Sequence, residues 1–137
     1  MTVFFSTTNS KKDFDLVDLL QVLESVFKTN DFEFELINYE YSSVNFDYRE
    51  VNKDIITFLR RKDDGKLKIN YVDFLKFSQF VGQTEDGYFK VLIVPKNISL
   101  KISVYDCFFW DIASNNEKAI IELSNHPEII KFNREIE

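Results

Sequence analysis

Residues 32 to 36 alternate between apolar and acidic side chains, and this alternation constrains the fold more than any other feature of the sequence. Phe32, Phe34 and Leu36 are separated by Glu33 and Glu35. Successive side chains of a β-strand point to opposite faces of the sheet. The pattern therefore predicts a strand with one face in the core and the other in water.

The alternation shifts by one residue after Leu36. The apolar and aromatic side chains that follow, Ile37, Tyr39 and Tyr41, occupy odd-numbered positions instead of even-numbered ones. A β-bulge near Leu36 and Ile37, which adds one unpaired residue to the strand, would account for the change. Alternation resumes after a pair of serines, and this second run predicts a hairpin. Its apolar members are Val44, Phe46 and Tyr48.

Two segments have the periodicity of amphipathic helices. Residues 11 to 28 place apolar side chains at helical spacing, with Ser10 and Asp13 arranged as in a capping box. Residues 114 to 117 form a second capping-box pattern before the apolar residues of the last predicted helix, and His126-Pro127 begins a short final turn. We expect these helices to pack against the sheet.

Further strands are predicted in the second half of the chain. Residues 88 to 94 form an almost continuous apolar run, which is typical of a central strand covered on both faces. Residues 98 to 104 alternate, and residues 108 to 112 form a short strand. Residues 50 to 72 fit either a helix or a hairpin. For 50 to 81 we favour the order helix, turn, strand and helix.

Length and composition fit a single globular domain. The chain has 137 residues, of which 45% are apolar and 29% charged, and this balance excludes a disordered chain. Its 15 phenylalanines provide a large area for burial, while 3 glycines leave little material for phosphate-binding loops. We predict one α+β domain, 1–137, with amphipathic helices packed on a mainly antiparallel β-sheet.

The stretch KDDGKLKINYVDFLKF, residues 62 to 77, resembles the second half of a calcium-binding EF-hand. Such a loop needs oxygen ligands at positions 1, 3, 5 and 12 and glycine at position 6. With Gly65 at position 6, positions 1 and 3 become Arg60 and Lys62, and position 12 becomes Tyr71. Cationic side chains do not coordinate Ca²⁺, so we expect a surface turn here and no calcium site.

Catalytic and cofactor chemistry has little support in the sequence. One cysteine, Cys107, and one histidine, His126, are too few for a typical zinc site, and we predict no metal, no other cofactor and no catalytic residue. Cys107 lies between apolar and aromatic residues, where a buried structural thiol is the favoured interpretation. A small enzyme that uses Cys107 stays an alternative, because a thiol and a base can meet in space.

The charge balance disfavours some partners. Lysines and arginines number 17 against 23 acidic residues, which gives a net charge of −6. Such a surface repels a phosphate backbone on average, so we expect no nucleic-acid binding. The sequence has neither the pattern of a signal peptide nor an apolar run that could span a membrane. We therefore expect a cytoplasmic protein that does not bind membranes.

Two stretches without lysine or arginine, residues 29 to 48 and 102 to 117, combine carboxylates with aromatic side chains. Negative charge speeds encounter with a basic protein, and tyrosine and tryptophan provide contact area on binding. Alternation in a half-buried sheet produces much of the same pattern, because aromatic side chains then face the core. The residues predicted to bind a partner are Glu33, Glu35, Tyr39, Glu40, Tyr41, Asp47, Tyr48, Asp106, Trp110 and Asp111.

This profile, a small acidic protein without a catalytic constellation, resembles that of immunity proteins that neutralise toxins. The resemblance implies a non-catalytic inhibitor that binds and masks a basic, nuclease-like toxin domain, with Trp110 and the tyrosines as anchors. An inhibitor or scaffold that mimics nucleic acid toward another protein complex would have the same profile. The oligomeric state does not follow from the sequence.

Overall fold

The structure, a computed structural model, describes residues 3–8, 15–41, 51–60, 66–81, 84–105 and 109–129, with the backbone alone for 3–8 and 109. The helices in these segments are α1 (Leu16–Phe27), α2 (Lys53–Arg60), α3 (Tyr71–Ser78) and α4 (Glu117–Ser124). The strands are β1 (Val3–Thr8), β2 (Phe32–Tyr41), β3 (Leu67–Asn70), β4 (Thr84–Ile93), β5 (Ile98–Tyr105) and β6 (Phe109–Ser114). A 3-10 turn, Val94–Lys96, joins β4 to β5, and a helical turn begins at Pro127.

The described strands form one sheet in the order β1-β6-β5-β4-β2-β3. Every neighbouring pair is antiparallel. The prediction of an α+β fold with a mainly antiparallel sheet is therefore confirmed. β1 is not predicted from the sequence, because this short segment alternates only weakly and acquires its strand geometry by pairing with β6.

The irregularity predicted in the strand after Leu36 is confirmed. The register between β2 and β4 shifts between Leu36 and Asn38, which leaves Ile37 as the extra residue. Side chains beyond the bulge therefore change face, so that Tyr39 is buried and Glu40 is exposed. The hairpin predicted from residues 44 to 48 lies outside the described residues.

The caps of α1 and α4 differ from the predicted ones. Asp15 is the N-cap of α1, and its backbone N–H donates to the Asp18 carboxylate at 2.9 Å, whereas the predicted capping residues Ser10 and Asp13 lie outside the described residues. Asn116 caps α4 by accepting the N–H of Ala119 at 3.0 Å. In both helices, polar residues next to the first apolar positions bond the free amides of the N-terminus.

One face of the sheet and the helices that cover it form the hydrophobic core. Phe34 of β2, Phe74 of α3 and Phe89 of β4 are fully buried. Ring centroids lie 4.9 Å apart for Phe34 and Phe74, and 5.7 Å apart for Phe74 and Phe89, both pairs edge to face. Such contacts stabilise the core beyond the burial of apolar area. The leucine stripe of α1 packs into the same core.

β4 lies inside the sheet, between β5 and β2, as predicted for a central strand. The prediction that both of its faces are covered is wrong. Val91 and Ile93 are buried, but Lys90 is exposed on the opposite face. The described helices cover one face of the sheet, and alternate side chains of β4 reach the other face.

Residues 51 to 81 show the predicted order of helix, strand and helix, with residues 61 to 65 outside the described segments. β3 passes directly into α3, where the Asn70 side chain accepts the N–H of Asp73 at 2.8 Å. The Asp73 carboxylate accepts from the Asn52 amide at 2.9 Å, so it ties the start of α3 to the residues before α2. None of the described helices is long and apolar enough to cross a membrane.

Candidate functional site

The described helices leave one face of the sheet uncovered, and we call it the open face. Inward neighbours such as Phe89, Ile102 and Ile112 are buried in the core. A partner that approaches the sheet would therefore meet the outward side chains. These are Glu33, Glu35, Asn38 and Glu40 of β2, Lys68 and Asn70 of β3, Asp86, Tyr88, Lys90 and Leu92 of β4, Ser99, Lys101, Ser103 and Tyr105 of β5, and Asp111 and Ala113 of β6.

One end of the open face combines carboxylates with tyrosines. Glu40 and Asp86 are direct neighbours in the register of β2 and β4, and Ser103 aligns with both Tyr88 and Asp111 across β5. Neighbouring strands lie about 4.8 Å apart, so the carboxylates are spread over about 15 Å from β2 to β6. We call this region the acidic end, and its residues are Glu40, Asp86, Tyr88, Tyr105 and Asp111.

Glu40 and Asp86 form a pair of like charges on the open face. Glu40 is exposed and Asp86 is half-buried. Within the described segments, neither carboxylate has an ion pair with a lysine or arginine. Like charges directly opposite each other in a sheet are destabilising. The fold itself does not benefit from this pair, whereas a basic group bound between the two carboxylates would relieve their repulsion.

Glu33 and Glu35 lie in the other half of the open face and have basic neighbours. Lys68 Nζ is 3.5 Å from Glu33 Oε1, and Lys66 Nζ is 4.0 Å from Glu35 Oε1. Such exposed pairs contribute little to stability, but they place positive charge beside each carboxylate. These two glutamates should therefore attract a basic partner less strongly than the acidic end does.

Two residues predicted as partner-binding anchors belong to the core, and that prediction is wrong. Trp110 is fully buried, opposite Val104 in the register of β5 and β6. Tyr39 is 7% exposed. Both side chains point inward because their strands alternate, and the same alternation points Glu40 and Asp111 outward.

The remaining predicted residues are partly available or lie outside the described segments. Tyr41 is half-buried, with its ring 6.4 Å from that of Phe77. Asp47, Tyr48 and Asp106 are outside the described residues. The structure nevertheless answers one question that the sequence leaves open, because an acidic residue from each of the two predicted stretches lies on the same face.

The acidic end also contains residues that the sequence analysis does not assign to it. Asp86 and Tyr88 come from β4, which lies between the strands that carry the two predicted stretches. In the sequence, Asp86 and Tyr88 alternate with Gly87 and Phe89, which point inward. This alternation predicts which side chains point outward, but only the strand order shows that they lie beside Glu40 and Asp111. Tyr105 lies within the second stretch and is 41% exposed, so it presents part of its surface to solvent where Trp110 does not.

Two buried tyrosines resist ionisation. The hydroxyls of Tyr39 and Thr84 form a hydrogen bond of 2.5 Å, and burial raises the pKa of Tyr39 above its usual range, with a further increase from the Asp15 carboxylate. Tyr71 donates to the Glu24 carboxylate at 2.6 Å, and burial together with this bond raises the pKa of Tyr71 as well. Both hydroxyls stay protonated in the folded protein at pH values where a free tyrosine ionises.

Stability should therefore fall as the pH rises above about 10, the ordinary pKa of tyrosine. In that range the unfolded chain releases protons that the folded chain retains, so each such tyrosine lowers the free energy of unfolding, with a slope that approaches roughly 1.4 kcal/mol per pH unit near pH 11. Tyr39→Phe should remove one such increment from the slope, as measured by urea denaturation between pH 8 and 11. Equal slopes in the variant and the wild type would contradict the placement of Tyr39.

The only histidine of the sequence, His126, hydrogen-bonds a backbone amide and a serine hydroxyl. His126 Nδ1 accepts the backbone N–H of Glu128 at 3.2 Å, so the neutral ring carries its proton on Nε2. In this tautomer Nε2, which lies 3.3 Å from Ser25 Oγ, is the donor to that hydroxyl. Cys107 lies outside the described residues. Among the residues that the structure describes, no group of three histidine, cysteine or acidic side chains could hold a metal ion.

The acidic end is the candidate site that this geometry supports best. Its chemistry is the recognition of positive charge by carboxylates held on a rigid sheet, with tyrosine rings beside them. The function has to be argued from this chemistry, because no protein-family model, no curated protein and no solved structure matches the chain.

Proposed function

We propose that the protein is a non-catalytic inhibitor of the immunity type, which binds a basic, nuclease-like toxin domain in the cytoplasm and masks its active surface. The proposal rests on the acidic end and on the net charge of −6. A negative protein attracts a basic one over long range, and the local cluster then orients the encounter. The acidic side chains would lie across the cationic groove of the toxin, where nucleic acid would otherwise bind.

The observation that carries this proposal is the pair formed by Glu40 and Asp86. The two carboxylates are direct cross-strand neighbours at the surface, where like charges cost up to about 1 kcal/mol. A stable sheet would gain from a lysine or a neutral residue at either position. The presence of both carboxylates is explained if a lysine or arginine of a partner binds between them.

Tyrosine side chains next to these carboxylates supply the contact area that a tight complex needs. Tyr88 is half-buried and Tyr105 is 41% exposed, so each presents part of a ring to the open face. Aromatic residues are enriched among those that dominate binding energy, since they bury a large area with few rotatable bonds. They take the anchor role that the core positions of Tyr39 and Trp110 exclude.

The test is affinity capture from the native lysate at low and then moderate salt, with identification of the retained protein by mass spectrometry. The wild type should retain one stoichiometric basic protein through the salt step. Glu40→Lys combined with Asp86→Lys should lose it. Glu122→Lys combined with Glu128→Lys is the matched control, since it changes the net charge equally on α4 and the turn after it, and it should retain the protein.

The outcome of the capture also separates the alternatives. A retained toxin whose activity falls on binding supports the immunity role. A retained component of a different nucleic-acid-binding complex would show that the acidic end mimics nucleic acid toward another target. An empty column at both salt concentrations would contradict a binding function, and the thiol of Cys107 would then be assayed for reactivity near neutral pH.

A further inference from the structure

The open face carries a second pair of like charges, of opposite sign to the first. Lys90 of β4 and Lys101 of β5 are direct cross-strand neighbours, and both are exposed. Neither ammonium group has an ion pair within the described parts of the chain. Like charges directly opposite each other in a sheet are destabilising here too, as they are at Glu40 and Asp86. Binding of an anionic group would relieve the repulsion between the two lysines.

Of the two other cross-strand neighbours of this pair, one is acidic and one is uncharged. Glu35 is opposite Lys90 on the β2 side, but the carboxylate of Glu35 lies 4.0 Å from Lys66 and makes its ion pair there. On the other side, Lys101 is opposite Ala113, which has no charge to offer. The lysine pair therefore places two like charges side by side on the open face.

A depression of about 200 Å³ adjoins the lysine pair. Its lining residues are Ser99, Lys101, Ala113, Ser114 and Asn115. The Ser114 hydroxyl donates to the Ser99 carbonyl at 2.8 Å and accepts the N–H of Asn116 at 3.0 Å, which fixes the wall of the depression. The small side chain of Ala113 leaves space beside Lys101, and the exposed side chains of Ser99 and Asn115 can donate hydrogen bonds.

We propose that Lys90, Lys101 and this depression form a subsite for one carboxylate group of the partner protein. The identity of the ligand as a partner side chain rests on the proposed function, while the anion site itself rests on the lysine pair and the depression. Asp86 and Lys90 are four residues apart on β4, or about 14 Å. The partner thus presents a basic group and a carboxylate at that separation, and this bipolar match fixes its orientation on the sheet.

The subsite is tested on the isolated protein with acetate as the probe. Sodium acetate replaces sodium chloride at constant ionic strength while amide signals are followed by ¹H–¹⁵N NMR. We expect saturable shifts confined to Ser99, Lys101, Asn115 and their neighbours. Lys101→Gln should weaken acetate binding about tenfold or more, because contacts to a charged group dominate such a site. Lys68→Gln is the matched control, since Lys68 is already paired with Glu33 at 3.5 Å, and should bind acetate as the wild type does.

Several results would overturn the subsite. They are shifts that never saturate, shifts spread over the whole protein, and equal acetate affinity in Lys101→Gln and the wild type. Saturation by inorganic phosphate but not by acetate would overturn the carboxylate assignment in favour of a phosphate ligand. This titration uses no partner, so its result is independent of the capture experiment. The protein can fail to bind acetate and still retain a partner through the acidic end, or it can bind acetate and retain no partner.

A stability measurement gives an independent check. Lys101→Gln removes one of two like charges, so its melting temperature at low salt should rise by about 1–4 °C. Lys68→Gln loses an ion pair and should not show this increase. A melting temperature that falls in Lys101→Gln would mean that Lys101 stabilises the sheet itself, which would contradict its assignment to a binding site.

Discussion

Replacing Trp110 with alanine is expected to lower the free energy of unfolding by about 3–5 kcal/mol, the usual range for removing a buried aromatic side chain. Trp110 is fully buried on β6, and its loss would leave a cavity that the rigid sheet closes only in part. Urea denaturation should show a much lower midpoint with an unchanged slope. This expectation is opposite to the one for a surface anchor, whose removal affects binding and leaves stability nearly unchanged.

Tyr105→Ala is the control for Trp110→Ala, because it removes an aromatic side chain that is partly exposed. Tyr105 is aromatic, lies one strand away on β5 and is 41% exposed. Its removal should change the free energy of unfolding by less than about 1 kcal/mol. If Trp110→Ala were as mild as Tyr105→Ala, the placement of Trp110 in the core would be wrong and its predicted role as an anchor would return.

Reversing the charge of Glu40 and Asp86 together is expected to slow association with the captured basic protein by about 10- to 100-fold at low salt. Two changes from carboxylate to lysine raise the net charge from −6 by 4, to −2, so part of the effect is long-range. The rest comes from placing positive charge where the partner carries its own. The association rate should also depend less steeply on salt than that of the wild type, as measured by stopped-flow fluorescence.

The paired reversal of Glu122 and Glu128 separates these two contributions. It gives the same net charge, but Glu122 lies on α4 and Glu128 lies in the turn after it, away from the open face. We expect a modest decrease in its association rate and a salt dependence close to that of the wild type. Equal slowing by both double variants would show that only net charge matters, and would contradict a binding site at the acidic end.

Local patterns in the sequence predict much of the fold. Alternation predicts β2, and the change of parity after Leu36 predicts the bulge that the register shift confirms. These features depend only on neighbouring residues and on the two-residue period of a strand, and both can be identified in the sequence. The caps of α1 and α4 were misplaced because several polar residues precede each helix, and packing of the apolar stripe decides where the first turn begins.

The candidate site depends on strand order, and strand order does not follow from local pattern. The stretch around Tyr39 predicts a mixture of aromatic and acidic residues, but only the register shows that Tyr39 points into the core while Glu40 points outward. Asp86 was missed because its partner across the sheet is 46 positions earlier in the sequence. Trp110 is a similar case, because its acidic neighbour in the sequence predicts a surface position, while the register of β6 places its side chain in the core.

The central claim is that a basic partner binds over Glu40 and Asp86 on the open face. Amide hydrogen exchange of the protein alone and in complex with the captured partner tests it most directly, because it reports where the partner lies without any substitution. Slowed exchange in β2 around Glu40, in β4 around Asp86 and Tyr88, and at the end of β5 is the predicted result. Protection confined to α1 and α4, with the exchange of β2 and β4 unchanged, would contradict the claim.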